Sequence, residues 1–225
     1  MPFSQKTLDF LFENHLMDSR IWFNEHHTEY RRYVIEPLSQ LVVELSPCMM
    51  ELDEQIVTIP RVDKTICRIW RDIRYSHDKF LYRDSMWICF KRGGKMNSDQ
   101  MPGVYFEITA DGFNYGCGFY RAPPSYMNTL RTMILADNPV FLEAKRAYEA
   151  QRVFQMDGEC FKRPRYPEKP EDLRLWLERR NISFDAASSD FDLLFSDRLA
   201  KKLAADFKLL KPIYHLLLSA SLVEL

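Results

Sequence analysis

From Ile21 onward, Trp22, His26, Tyr30, Tyr33, Leu38, Leu41, Val42 and Leu45 recur mostly at three- and four-residue steps. That spacing draws one apolar stripe along a long helix. Pro37 should bend it, and Ser46-Pro47 predicts a restart or a second kink. Ahead of it, Ser4 can cap a first helix that carries Leu8, Leu11 and Phe12, and Asp18 is placed as the cap of the next. After Pro60 the pattern changes to β-like. Ile66, Cys67, Ile69 and Trp70 form a β-branched and aromatic group, and further strands are predicted at 85–91, 104–109 and 113–121. Ala110-Asp111-Gly112 supplies a hairpin turn between the last two, since glycine accepts the positive φ such a turn needs.

Beyond residue 121 the pattern is helical again. Pro123-Pro124 open a helix with Met127, Leu130 and Ile134 on one side, and a second follows Asn138-Pro139. Residues 152–162 predict a small hairpin around Asp157-Gly158. The proline-rich tract 163–172 reads as an extended connection to a helix ending near Asn181. A final helical stretch starts at Ser188 or Ser189 and bends at Pro212. The expected fold is α+β, a mostly antiparallel β-sheet packed against several α-helices. We expect a single domain over 1–225, with N-terminal helices in 1–56, an antiparallel meander in 61–121 and a mainly helical part in 122–225.

Composition is ordinary for a globular chain of 225 residues: 46% hydrophobic, 28% charged, net charge -1. The distribution of charge changes the picture more. Residues 1–60 hold 4 Lys/Arg against 10 Asp/Glu, whereas residues 61–95 hold 10 against 4. Either the basic stretch meets an anionic ligand, or the acidic helices lie against it. Five widely spaced cysteines read as buried or free thiols in a reducing compartment. Without a signal-peptide pattern or an apolar run of about 20 residues, the expected location is the cytoplasm, with no membrane partner.

The basic charge peaks in RIWRDIRYSHDKFLYR, residues 68–83, which fits neither period cleanly. We expect a strand to about Trp70, then a tight helical turn and a loop through Tyr82. That would gather Arg71, Asp72, Arg74, Ser76, Asp78 and Lys79 at a strand exit. Guanidinium groups bind carboxylate or phosphate through two parallel hydrogen bonds, and a neighbouring aspartate can orient them. The same residues can instead pair among themselves as an internal ion-pair network. In FNYGCGFYR, alternation puts Asn114, Gly116, Gly118 and Tyr120 on one face, and two glycines there leave a bare floor for a ligand or for another backbone. Glu107 in the preceding strand can lie beside that floor, with Arg131 shortly after it in the chain. The candidate ligand-binding residues are therefore Arg68, Arg71, Asp72, Arg74, Ser76, Asp78, Lys79, Tyr82, Arg83, Glu107, Gly116, Gly118, Tyr120 and Arg131.

The tract formed by Arg68, Arg71, Asp72, Ile73, Arg74, Tyr75, Ser76, Asp78, Lys79, Leu81, Tyr82 and Arg83 resembles the hallmark of the uncharacterised domain of unknown function (DUF) 2461 family. It departs at Tyr75 for phenylalanine, Leu81 for proline and Arg83 for lysine. Trp22-Phe23 with Tyr30 and Pro37 are similar to the family's aromatic helix start. Gly116 to Tyr120, Leu130-Arg131 and Lys162-Arg163-Pro164 are similar to its later motifs. The resemblance implies no activity.

No phosphate-binding loop, dinucleotide fingerprint or zinc-ligand spacing occurs, so no metal site is expected and the sequence names neither a cofactor nor a catalytic residue. Adjacent His26 and His27 point apart, and Ser76, His77 and Asp78 are too close in sequence for a triad. Three functions stay open: a site for a small anionic ligand, phosphorylated ligands included; a nucleic-acid module, which the near-neutral total charge disfavours; and a structural or interaction protein. Oligomeric state is not legible in the sequence.

Overall fold

The computed structural model describes residues 2–72, 74, 79–93 and 101–222. The chain begins with α1 (Gln5–Met17), α2 (Arg20–Glu25), α3 (His27–Tyr30), a π-helical segment (Arg31–Ile35) and α4 (Glu36–Leu52). Strands β1 (Met86–Phe90), β2 (Gly103–Thr109) and β3 (Gly112–Gly118) follow, then α5 (Pro124–Leu135), α6 (Pro139–Ala150) and β4 (Gln155–Asp157). The chain continues through α7 (Glu171–Leu177), β5 (Ser183–Ser188), α8 (Phe191–Leu194), α9 (Leu199–Leu209) and α10 (Lys211–Leu222). The strands form one antiparallel sheet in the order β1-β2-β3-β5-β4, so the class is α+β as the pattern predicts. No described helix is long and apolar enough to cross a membrane.

The chain divides into two compact units, each drawn from three stretches. The first comprises Met1–Met96, Tyr105–Tyr115 and Ala187–Ala205, and the second Asn97–Val104, Gly116–Ala186 and Asp206–Leu225.

In the first unit the long amphipathic stripe is broken where proline dictates. Pro37 has no N–H to give the Tyr33 carbonyl four residues back, and the turn before it widens to a π-helix. Thr7 Oγ1, from α1, donates to that carbonyl at 2.7 Å and itself accepts from the Ser4 amide at 3.2 Å. Pro47, by contrast, neither ends nor restarts α4. The carbonyl it leaves without a donor is that of Val43, which is exposed, so water can serve it. Asp18 does not cap α2 as the sequence suggested. Ser19 does, its Oγ accepting from the Trp22 amide at 3.4 Å, while Asp18 ends α1 in the left-handed region at φ 43°. Along β2, Phe106 and Ile108 are buried and Tyr105, Glu107 and Thr109 half-buried, which is the expected alternation. Phe106 packs on Phe3 and Phe113 at 5.8 and 5.7 Å between ring centroids.

In the second unit α10 packs on α6 and α5, with the Tyr126 hydroxyl donating to the Leu217 carbonyl at 3.2 Å. Trp176 is buried among Phe141, Tyr148 and Phe184. The predicted 152–162 hairpin does not form. Its first arm is β4, whose partner is β5 some 28 residues on, in the register Gln155 to Asp185, Met156 to Phe184 and Asp157 to Ser183. Asp157-Gly158 still makes a turn, with φ 115° at Gly158. The single closing helix resolves into α8, α9 and α10, the last starting at Lys211-Pro212, where proline fits a first turn.

Candidate functional site

The two described ends of the charged tract lie on the two arms of an irregular hairpin in the first unit. Cys89 N donates to Thr65 O (2.8 Å), Cys67 N to Trp87 O (3.0 Å), Arg83 N to Ile69 O (2.9 Å) and Arg71 N to Leu81 O (2.8 Å). The pairing amounts to isolated bridges, Ile66 to Ile88 and Trp70 to Tyr82, and not to a regular strand. Extended backbone thus reaches Arg71, one residue past the expected end, and the returning arm begins at Leu81. Ser76 and Asp78, predicted for this site, and His77 lie outside the described residues.

Aromatic packing anchors the hairpin. Tyr82 is fully buried, with its ring centroid 4.3 Å from Trp70 and 5.1 Å from Phe23. Burial pushes its phenol up to about 12, and its hydroxyl has no hydrogen-bond partner among the described residues. Tyr82 therefore serves the core and is not presented to a ligand. Cys67 is buried as well: burial, opposed by the Trp87 amide and Arg83 and reinforced by Glu107, pushes its thiol up to about 12.

The acidic N-terminal helices do meet the basic segment, but through its backbone. Asp18 Oδ1 accepts the Leu81 amide at 2.6 Å and the Tyr82 amide at 3.4 Å. His15 Nδ1 lies 3.0 Å from the Tyr82 carbonyl, and its ring packs on Phe80 at 4.2 Å. Asp18 and His15 are the residues that sequence reading missed here. Two cap-competent residues in succession, Asp18-Ser19, were the available signal: when the second caps the helix, the first is released for another partner.

Two of the cationic side chains are paired at the surface. Arg68 pairs with Asp63, both more than half exposed. Arg74 grips Asp72 through two bonds of 2.9 and 2.7 Å, again with both side chains exposed, and its amide adds a third at 3.2 Å. The Arg74 guanidinium holds the Asp72 carboxyl at about 2, below the usual carboxylate range. Arg83 Nε donates to the Arg68 carbonyl at 3.2 Å, and its guanidinium lies 4.5 Å from the centre of the Trp87 ring. Lys79 is exposed and Arg71 half-buried. Glu107 accepts from Ser85 Oγ at 2.9 Å. Among the described residues no cluster of three acidic, histidine or cysteine side chains could hold a metal ion. None of the five cysteines is in a disulfide.

The remaining candidates belong to the second unit. Gly116 and Gly118 face no open floor, because a Cβ at Gly116 would sit 2.1 Å from the Phe184 carbonyl oxygen and one at Gly118 2.5 Å from Ser183 Cα. The missing side chains admit the backbone of β5, one of the two occupants that the glycine pattern allowed. Tyr120 is almost wholly exposed, on a turn held by Asn181, whose amide donates to the Phe119 and Tyr120 carbonyls and accepts from Ala122 N. Arg131 is buried at the end of α7. It donates to the carbonyls of Leu177 (3.0 Å) and Arg179 and to Asn128 Oδ1 (2.9 Å), with Phe161 under its guanidinium. Its job is to satisfy backbone oxygens that the helix end leaves over.

A family model described as conserved hypothetical protein (DUF2461) matches residues 6–216. The chain belongs to the DUF2461 family. The match runs through both units, and the charged hairpin lies within the matched range. No curated protein and no solved structure matches the chain.

Proposed function

We propose that the hairpin of residues 65–89 binds a small anionic ligand, with Arg68, Arg71, Arg74, Lys79 and Arg83 as its cations and Asp72 orienting Arg74. One observation carries this reading. The anchoring carboxylate of Asp18 is used on main-chain amides, and the ion pairs at Arg68 and Arg74 are short-range and exposed. Exposed pairs of this kind contribute about 0–1 kcal/mol. A phosphate or carboxylate offering charge-assisted bonds of about 1.5–3 kcal/mol each can displace them at little cost. The Arg83 guanidinium, 4.5 Å from the centre of the Trp87 ring, adds positive charge to the same hairpin. An internal ion-pair lattice would instead bury its members, and neither pair is buried.

A second reading draws on Trp70 and Phe80, which keep 37% and 42% of their surface exposed on the same hairpin. Aromatic faces beside arginines suit stacked bases, so a single-stranded nucleic acid is the competing ligand. Titration calorimetry with pyrophosphate, a nucleoside triphosphate and a short single-stranded oligonucleotide separates the two. A compact site binds the small anions with modest salt dependence, whereas a nucleic-acid surface prefers the oligonucleotide and weakens steeply as salt rises. An Arg71→Ala, Arg74→Ala double variant should lose binding and keep its melting temperature. If none of the three probes binds at low salt, the proposal fails.

A further inference from the structure

We infer that the outer face of α1 and α2 is the contact by which two copies of this chain form a two-fold dimer, a face that shares Trp70, Phe80 and Lys79 with the hairpin but does not require a ligand there. Large apolar side chains are exposed there in one run: Phe12, Leu16, Met17 and Ile21 at 53–73%, joined by Phe80 and Trp70. Phe12 and Leu16 are one helical turn apart and therefore adjacent. Phe80 is tied to α1 by packing on His15, and Trp70 to α2 by the Arg20 guanidinium 5.9 Å from its ring centre. Monomeric proteins seldom expose a contiguous apolar patch above about 300–600 Å². With aromatic side chains of about 150–250 Å², these six leave on the order of 600 Å² uncovered. A standard interface takes about 800 Å² from each partner, so this patch with its charged rim is of the required size.

The rim identifies the occupant. Toward the start of α1 the exposed charges are Asp9 and Glu13 against Lys6, a net negative end. Toward α2 and the hairpin they are Arg20 and Lys79 against Glu25, a net positive end. An apolar centre between an acidic and a basic end is complementary to itself after a two-fold rotation, since each acidic end then meets a basic one. An anionic membrane would be attracted by one end and repelled by the other.

Light scattering on the eluting full-length chain, over a hundredfold concentration range reaching about 100 µM, should give a mass of twice 26.8 kDa at the upper end. Leu16→Glu and Ile21→Glu, both at exposed positions, should each raise the dissociation constant at least tenfold without changing the circular dichroism spectrum, or the melting temperature at concentrations where the parent too is monomeric. Glu13→Arg should weaken the dimer, and adding Arg20→Glu should restore it. A monomer throughout the range overturns the inference, and so does a dimer that tolerates both glutamates. So does a monomer that instead binds vesicles of anionic phospholipid, since the face would then be a membrane contact.

Discussion

The carboxylate of Asp18 accepts the Leu81 amide across 63 positions of sequence, at 2.6 Å. This bond places the returning arm of the hairpin on the end of α1 without using any of the cations. It is short because its acceptor is charged, and such bonds contribute more than neutral ones. Removing it by Asp18→Ala should leave two amides short of an acceptor and lower stability by about 1–3 kcal/mol. Asp18→Asn, which keeps an oxygen, should cost less. Denaturant titration gives the energies, and amide exchange at Leu81 and Tyr82 should accelerate in the alanine variant before exchange in α4 does. Unchanged protection at those two amides would count against the anchor.

Thr7 and Pro37 act on the same carbonyl, that of Tyr33. Thr7→Val removes the donor and should destabilise by about 1–3 kcal/mol, because Thr7 is wholly buried. Pro37→Ala returns an amide to the helix. In the Thr7→Val background it should therefore be less damaging, or more stabilising, than in the parent. A double-mutant cycle on melting data measures this coupling, and strict additivity would refute it.

Asp72 offers a pH test with a defined sign. Arg74 lowers its carboxyl to about 2 in the folded chain, below the ordinary 3.8. The pair is therefore intact above the ordinary value and is lost as pH falls through about 2. Both groups are exposed, so the readout is local: the side-chain carboxyl shift of Asp72 followed by NMR. Arg74→Ala should move the midpoint back up toward 3.8, and a midpoint indifferent to that change would dismiss the pair.

Gly116→Ala should destabilise by about 1–3 kcal/mol, since the new methyl would overlap the Phe184 carbonyl and force β3 from β5. At protein concentrations where the variant is still folded, affinity for an anion at the hairpin should match the parent. A selective loss of binding with full stability would return the glycine to the ligand site.

Much of this was legible in the chain and some was not, for identifiable reasons. Strands β1 to β3 were found because they alternate or carry a turn signal: Phe106 and Ile108 face inward, and Gly112 takes φ 138° where Ala110-Asp111-Gly112 demands it. Strand β5, Ser183–Ser188, was missed. Its sequence SFDAAS has one large apolar residue, Phe184, and its place is fixed by the notches at Gly116 and Gly118, which are distant in sequence. The same gap explains why 155–157 was paired with its own neighbourhood: local turn chemistry was visible and the remote partner was not. Within the candidate site the cations were readable as a cluster. Which of them are structural was not, because Arg131 looks like any helical arginine until α7 ends against it.

Each compact unit is assembled from three separated lengths of chain, the third being Ala187–Ala205 in one and Asp206–Leu225 in the other. Closing either unit therefore requires stretches far apart in the sequence to meet, so refolding from denaturant should be slow for a chain this rich in helix.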